Sequence, residues 1–545
     1  MRSRPRLWPG GAVVALLAGA LTWIWLLAGA DRARQSRVVA TLAVVLAASF
    51  LLLVWWVLFS NLSRRVRLAG VLGAALAAAT AAATFTVRGL TGDLVPIVAF
   101  RWGGPSAVEV PLAAPSLRPR PSATAGPSAA PSVAGTAASS PSTSPSPPFS
   151  ALRADFPQFL GPGRDGTVPE ARLARDWKRE APRRLWRRGV GEGWSGFAVA
   201  GGLAVTQEQH GPEERVAAYD VSTGRPAWVH SDATRYETFI GGTGPRATPT
   251  IAGGRVFTMG ATGILNALDL ASGRRWWTRD VLAENGAKAP EWGKSCSPLV
   301  VDGKVVVSAG GPEDRSLVAY DAGSGRPLWS GGRDRAGYSS PVLMELAGRP
   351  QVVILNARTV AGHDPDTGRL LWEHPWPPGS ENVASPVRLS ADRVLVSTGY
   401  GIGSKLLRIV PDPVGALRAE LLWESPRLKS KFANLIVHEG WIYGLDDGVL
   451  TCLDPATGER KWKSGRFGHG QLLLAGGLLV VQTEEGEVVL VDPSPEGVRE
   501  LGRFAALDGK TWNPPALAGE VLVVRNHREA AAYVLPAPGR EAAGR

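Results

Sequence analysis

Asp321-Ala-Gly-Ser-Gly325-Arg-Pro-Leu-Trp329 decides the fold, because its spacing recurs along the chain. The same D-x-x-x-G-x-x-x-W pattern reads Asp220-Gly224-Trp228, Asp269-Gly273-Trp277, Asp364-Gly368-Trp372 and Asp454-Gly458-Trp462. Two degenerate copies keep the register, one around Asp412 with Trp423 after an insertion, the other at Asp492 with Gly497 and Leu501 in place of Trp. An aspartate opening a tight turn accepts backbone N–H groups. A glycine supplies the positive φ that the turn needs. A Trp on the next strand has a ring to bury against a neighbour, contributing at most ~2–3 kcal/mol. These Asp/Trp pairs are therefore expected to be structural, and not catalytic carboxylates or a base-stacking platform.

Upstream of each pattern lies a repeat start: Ser195, Thr248-Pro249, Ser297-Pro298, Ser340-Pro341, Ser385-Pro386, Asn434, Gln471 and Asn513-Pro514. Between starts, short alternating strands such as Arg255-Val-Phe-Thr-Met and Lys304-Val-Val-Val-Ser are separated by Gly-containing turns. A period near 40–50 residues with about four strands per copy reads as propeller blades, not solenoid turns. The expected fold is an all-β eight-bladed β-propeller of four-stranded antiparallel blades over 151–545, preceded by an α-helical transmembrane region. The last copy ends at 530–535 without a fourth strand. Arg184-Leu-Trp-Arg-Arg-Gly-Val190 resembles that missing strand and is expected to close the ring from the N-terminal side.

The A-x-D-x-x-[ST]-G-x-x-x-W spacing resembles the tryptophan-docking motif of the pyrroloquinoline-quinone (PQQ) repeat superfamily. That superfamily holds quinoprotein alcohol dehydrogenases and the BamB-type outer-membrane assembly lipoproteins. Phe156-Pro-Gln-Phe-Leu-Gly-Pro-Gly-Arg-Asp-Gly166 is similar to an opening found before PQQ-like propellers of bacterial extracytoplasmic proteins. The resemblance implies an eight-bladed fold, and for an enzyme it implies an adjacent Cys pair over the quinone, a Ca²⁺ set of Glu, Asn and Asp, and a catalytic Asp. This chain has two cysteines, Cys296 and Cys452, in separate copies. No D-x-D-x-D-G, H-E-x-x-H or G-x-S-x-G occurs. The expected function is thus a non-catalytic binding or assembly scaffold for protein or glycan partners. No catalytic, cofactor-binding or metal residues are assigned, and no cofactor is expected. The alternative is a PQQ-dependent quinoprotein oxidoreductase of alcohol or sugar dehydrogenase type, with calcium.

A partner is expected at the propeller mouth, where the loops before each innermost strand face the channel. Those loops carry Tyr236, Arg246, Trp292, Lys294 and Tyr338, followed by Asn382, Lys429, Lys431, His469 and Trp512. Aromatic rings mixed with Lys and Arg suit a polar or anionic ligand such as a peptide or glycan.

The formal net charge of the 545-residue chain is +12. Residues 1–150 carry thirteen Arg, no Lys and three acids, whereas the remainder carries 47 basic and 45 acidic residues. A nearly neutral propeller lacks the basic face of a nucleic-acid binder. The N-terminal basicity flanks three apolar runs, about 11–30, 38–60 and 68–87, each long enough to span ~30 Å of bilayer core as a helix. They define a membrane region, 1–101. Residues 102–150 hold eleven Pro among Ser, Ala and Thr and read as a disordered linker. Six Arg fall inside and five outside when the N-terminus is placed in the cytoplasm. Three crossings then put the propeller in the periplasm or outside the cell, anchored to a bacterial inner membrane. Cleavage after Ala28-Gly29-Ala30 would leave that orientation unchanged. A reporter that works only outside the cytoplasm, fused after Arg545, is expected to be active. Activity of a cytoplasm-only reporter at the same position overturns the orientation.

Overall fold

A computed structural model describes residues 8–27, 34–102, 154–379 and 381–538. The stretch expected to be a linker, 102–150, lies outside the described residues apart from Trp102. Three helices, α1 (Trp8–Leu27), α2 (Arg34–Phe59) and α3 (Arg64–Thr84), are long and apolar enough to cross a membrane. Each begins a few residues before its apolar run, and α2 and α3 thereby take in flanking Arg residues. The third run does not stay helical to residue 87: α3 stops at Thr84, where the aromatic and β-branched Phe85-Thr86-Val87 favours extended backbone. There the chain folds into an antiparallel hairpin, β1 (Phe85–Leu90) with β2 (Pro96–Phe100). Its turn is closed by Leu94 N donating to Thr91 O at 2.9 Å.

Beyond residue 154 the chain is a β-propeller. Its main strands fall, among the described residues, into seven four-stranded sheets and one of five. Within a sheet, chain neighbours pair antiparallel. The exception is the short strand Thr167–Val168, which adds in parallel to Gln471–Ala475. Strand alternation divides each strand between two interfaces. Val305 and Val307 pack toward one neighbouring sheet while Val306, between them, packs toward the other. The core is therefore a series of apolar layers between sheets. Closure occurs as the sequence implies: Glu529–Val534 pairs antiparallel with Arg183–Gly189, with Trp186 opposite Ala532. Across this seam the fully buried Arg525 donates to Thr206 Oγ1 at 2.6 Å and to the carbonyls of Gln207 and Gly191, both at 2.9 Å.

The recurrent motif does the work its residues suggest. In the five regular copies the Asp carboxylate accepts backbone N–H groups two or three residues on, as Asp321 does from Ser324 at 2.7 Å. The motif glycines Gly224, Gly273, Gly325, Gly368 and Gly458 all sit between φ 69° and 74°. Each underlies the Trp ring of the preceding sheet: Trp186, Trp228, Trp277, Trp329 and Trp423 in turn. The same rings donate their indole N–H to a carbonyl of the following turn, for example Trp329 to Pro365 at 3.2 Å and Trp228 to Leu270 at 2.8 Å. Trp462 reaches Ser494 O at 2.8 Å although its partner turn is degenerate. Trp372 is the departure. The sheet after it has the inserted Asp412 turn in place of the glycine motif, and Trp372 donates instead to Gln351 of its own sheet at 2.5 Å.

Near the axis a second set of bonds links repeat starts. Gly196 N donates to Thr248 Oγ1, Thr248 N to Ser297 Oγ, Ser297 N to Ser340 Oγ, Ser340 N to Ser385 Oγ and Ser385 N to Asn434 Oδ1. Gln471 then bridges the carbonyls of Phe432 and Trp512, and Asn513 Nδ2 returns to Ser195 O at 2.8 Å.

Two glycines separate the docking from mere turn strain. Gly348 and Gly368 have nearly equal φ, 73° and 74°, but a Cβ on Gly348 meets nothing whereas one on Gly368 strikes the Trp329 ring. Gly348→Ala should cost ~1–2 kcal/mol, the left-handed penalty alone. Gly368→Ala should cost a further ~1–3 kcal/mol for displacing the ring. Equal falls in melting temperature for the two variants would sink the docking role.

Candidate functional site

The loops ending in the repeat starts converge on one mouth, around a cavity of about 210 Å³. Its wall is aromatic. Trp292 stacks on Tyr338 at 5.3 Å, Phe432 lies 4.7 Å from Trp512, and Trp512 lies 4.8 Å from Trp194. Cations sit against these rings: Lys431 Nζ is 4.7 Å from the Tyr400 centroid, and Lys510 Nζ is 4.1 Å from that of Trp512. Burial lowers the Lys510 pKa to about 8, against the opposing charge of Glu484. Burial likewise brings Arg246 to about 10. A half-desolvated cation over a ring face gains electrostatic attraction that water would otherwise screen. The wall includes Arg246 and Lys431 and, among the described residues, no carboxylate.

The floor is the opening segment. Phe156 bridges to Val199, Ile251 N donates to Pro157 O at 2.7 Å, and Arg164 donates to Ser297 O and Pro298 O, both at 2.9 Å. The segment thus crosses the axis, and Phe159 faces the cavity. Arg164 is a buried crossbar; desolvation lowers its pKa to about 10.

The roof comes from outside the propeller. The β1–β2 turn enters the mouth, with Leu90, Thr91, Gly92 and Leu94 on the cavity. Gly92 N donates to Glu484 Oε1 at 2.7 Å, and Gly92 O accepts from Lys431 Nζ. Lys510 Nζ donates to Leu90 O at 3.2 Å. The Asp93 carboxylate is 3.0 Å from His469 Nε2 and 3.6 Å from Arg34 Nε. Burial works to raise the Asp93 pKa, but the His469 hydrogen bond and charge, with Arg34 and Lys431, outweigh it and hold the carboxyl below its ordinary value. At the start of α2, Gln35 Oε1 accepts from Lys431 Nζ at 2.5 Å.

Of the ten expected mouth residues, Arg246, Trp292, Tyr338, Lys431 and Trp512 line the cavity. Tyr236 backs Arg246 at 4.9 Å, and His469 holds the hairpin. Three stand apart. Lys294 is buried with its Nζ on Ala309 O at 3.4 Å, and burial lowers its pKa to about 8. Lys429 is paired with Asp446 at 2.7 Å. Asn382 is spent on Asn356 O and Thr398 Oγ1. Trp194, Tyr400, Phe432, Glu484 and Lys510 were not anticipated. A signal existed for Phe432: Arg246, Tyr338, Phe432 and His469 each lie two residues before a repeat start.

The family model described as outer membrane protein assembly factor BamB matches residues 212–464 and 446–535. BamB of Bordetella pertussis is 23% identical over 359 residues, covering 61% of this chain and 84% of that protein. Among solved structures, a europium-containing methanol dehydrogenase superposes with a TM-score of 0.53 at 13% identity, covering 70% of this chain and 98% of that one. Quinohemoprotein alcohol dehydrogenase from Comamonas testosteroni gives 0.51 at 13% identity, over 72% and 82%. At such identities the structural likenesses speak for the propeller fold alone. The sequence match extends over more than half of the residues, and the chain belongs to the family of outer membrane protein assembly factor BamB.

Proposed function

We propose that the protein is a membrane-anchored, extracytoplasmic scaffold whose eight sheets are the blades of one closed ring and whose mouth binds a protein partner without catalysis. One observation carries this reading: the mouth grips a polypeptide turn through main-chain groups and one carboxylate, using residues from several repeats. Anchoring rests on the three apolar helices. Gln35 opens α2 and the hairpin follows α3, so with three crossings both contacts to the propeller fall on the same, outer side of the membrane. Kinship with an assembly factor points the same way.

The alternative, a calcium-held quinone, does not fit the donor set. Cys296, in the loop before Leu299–Val301, and Cys452, in the strand Val449–Leu453, are separate buried thiols of different repeats. Among the described residues no three His, Cys, Asp or Glu gather to hold a metal. Glu484 is committed to Gly92, His469 and Trp512, and Asp446 to lysines. Calorimetry on the full chain with PQQ and Ca²⁺, followed by dye reduction over several alcohols and sugars, is expected to give neither binding heat nor turnover. Micromolar binding with alcohol-dependent dye reduction overturns the scaffold reading.

A further inference from the structure

We infer that the mouth is a receptor for an acidic Gly-Asp turn, that the β1–β2 tip is its resident ligand, and that a partner protein presenting such a turn exchanges with it. The inference rests on the scaffold reading above and deepens it.

Recognition of the tip is mostly of backbone. Glu484 takes the Gly92 N–H, Lys431 meets the Gly92 carbonyl, and Lys510 meets the Leu90 carbonyl. Glu484 is already oriented by His469 N at 3.0 Å and Trp512 Nε1 at 2.8 Å, so the acceptor stands ready without the tip. Main-chain bonds of this kind accept many sequences. Two features then narrow the choice. His469 beside Asp93 asks for a carboxylate. A Cβ at position 92 would run into the His469 ring, which asks for glycine.

The resident underfills its site. Beneath the tip the cavity of about 210 Å³ remains, lined by Trp292, Tyr338 and Tyr400. It is far larger than the one probe volume of ~10–15 Å³ that a single water needs. A turn with a longer apolar flank reaches rings that the tip leaves unpacked. The resident holds its place because it is tethered: hairpin and propeller are one chain, and a tether supplies an effective concentration on the order of millimolar. A few polar contacts suffice at that concentration, and a better-fitting turn in trans displaces them.

The test uses the full chain in phosphatidylcholine nanodiscs and a labelled cyclic peptide of residues 90–95, Leu-Thr-Gly-Asp-Leu-Val. Gly92→Leu undocks the hairpin and should bind the peptide at least about tenfold more tightly than the wild type, as loss of a tethered competitor requires. Adding Glu484→Gln to that variant, or Asn for Asp in the peptide, should reverse the gain. In the wild type, saturating peptide should speed amide exchange at Thr91–Val95. Equal affinities in wild type and Gly92→Leu overturn the inference. So does a Gly92→Leu protein of unchanged melting temperature that does not bind, or peptide binding without faster exchange at the tip. Any of these results without quinone turnover leaves the scaffold reading standing. Quinone turnover removes the scaffold reading whatever the peptide does.

Discussion

An indole ring seated on a left-handed glycine of the next sheet is the contact on which the propeller depends. A sheet of four short strands with two apolar faces cannot bury them by itself; stacked neighbours must cover them. Each must be covered by a neighbour at a fixed angle, and the Trp–Gly dock sets that angle. The glycine lets the ring approach the turn backbone, and the indole N–H then finds a carbonyl there, as from Trp277 to Ala322 at 3.1 Å. Where the receiving turn is rebuilt, at Asp412, the preceding Trp372 turns inward and the local core of Trp372, Trp376 and Leu417 takes over.

Docking fixes the outer radius, and the bonds between repeat starts fix the inner one. Ser, Thr and Asn side chains there satisfy backbone N–H groups of the adjacent sheet that would otherwise be buried without partners. Their effect reaches the mouth. With each repeat start pinned to the next, the residue two places upstream is pinned as well, which is how Arg246, Tyr338, Phe432 and His469 come to surround one axis. The site is a by-product of the ring's own hydrogen bonding, furnished with side chains suited to binding.

Much of this was legible in the sequence, for a physical reason: repetition turns weak local signals into a strong one. The Asp turns, glycines, repeat starts and the closing strand at Arg183–Gly189 could all be placed by register. Half of the expected mouth residues lie on the cavity because loops before inner strands face inward in any propeller. Lys294, Lys429 and Asn382 share that position in the chain, but burial, an Asp446 partner and loop carbonyls hold them away from it. The hairpin was not legible. Its strands are six and five residues long beside a much stronger helical signal, and Asp93 meets His469 across 376 residues of chain. Hydropathy reports how far a residue lies from water, not which distant surface it touches.

The strand that closes the circle also has a mechanical meaning. Arg183–Gly189 lies on the same side of the propeller sequence as the three apolar helices, with the axial crossbar at Phe156–Val168 between them. A pull on the chain just ahead of residue 154 therefore travels toward the sheet that this strand completes. Force reaches the crossbar first, where Arg164 and the parallel pairing of Thr167–Val168 resist it. Only after these give way does load fall on the seam, which Arg525 and the Trp186 ring clamp on its far side. The ring is built to fail last at the point where it was joined.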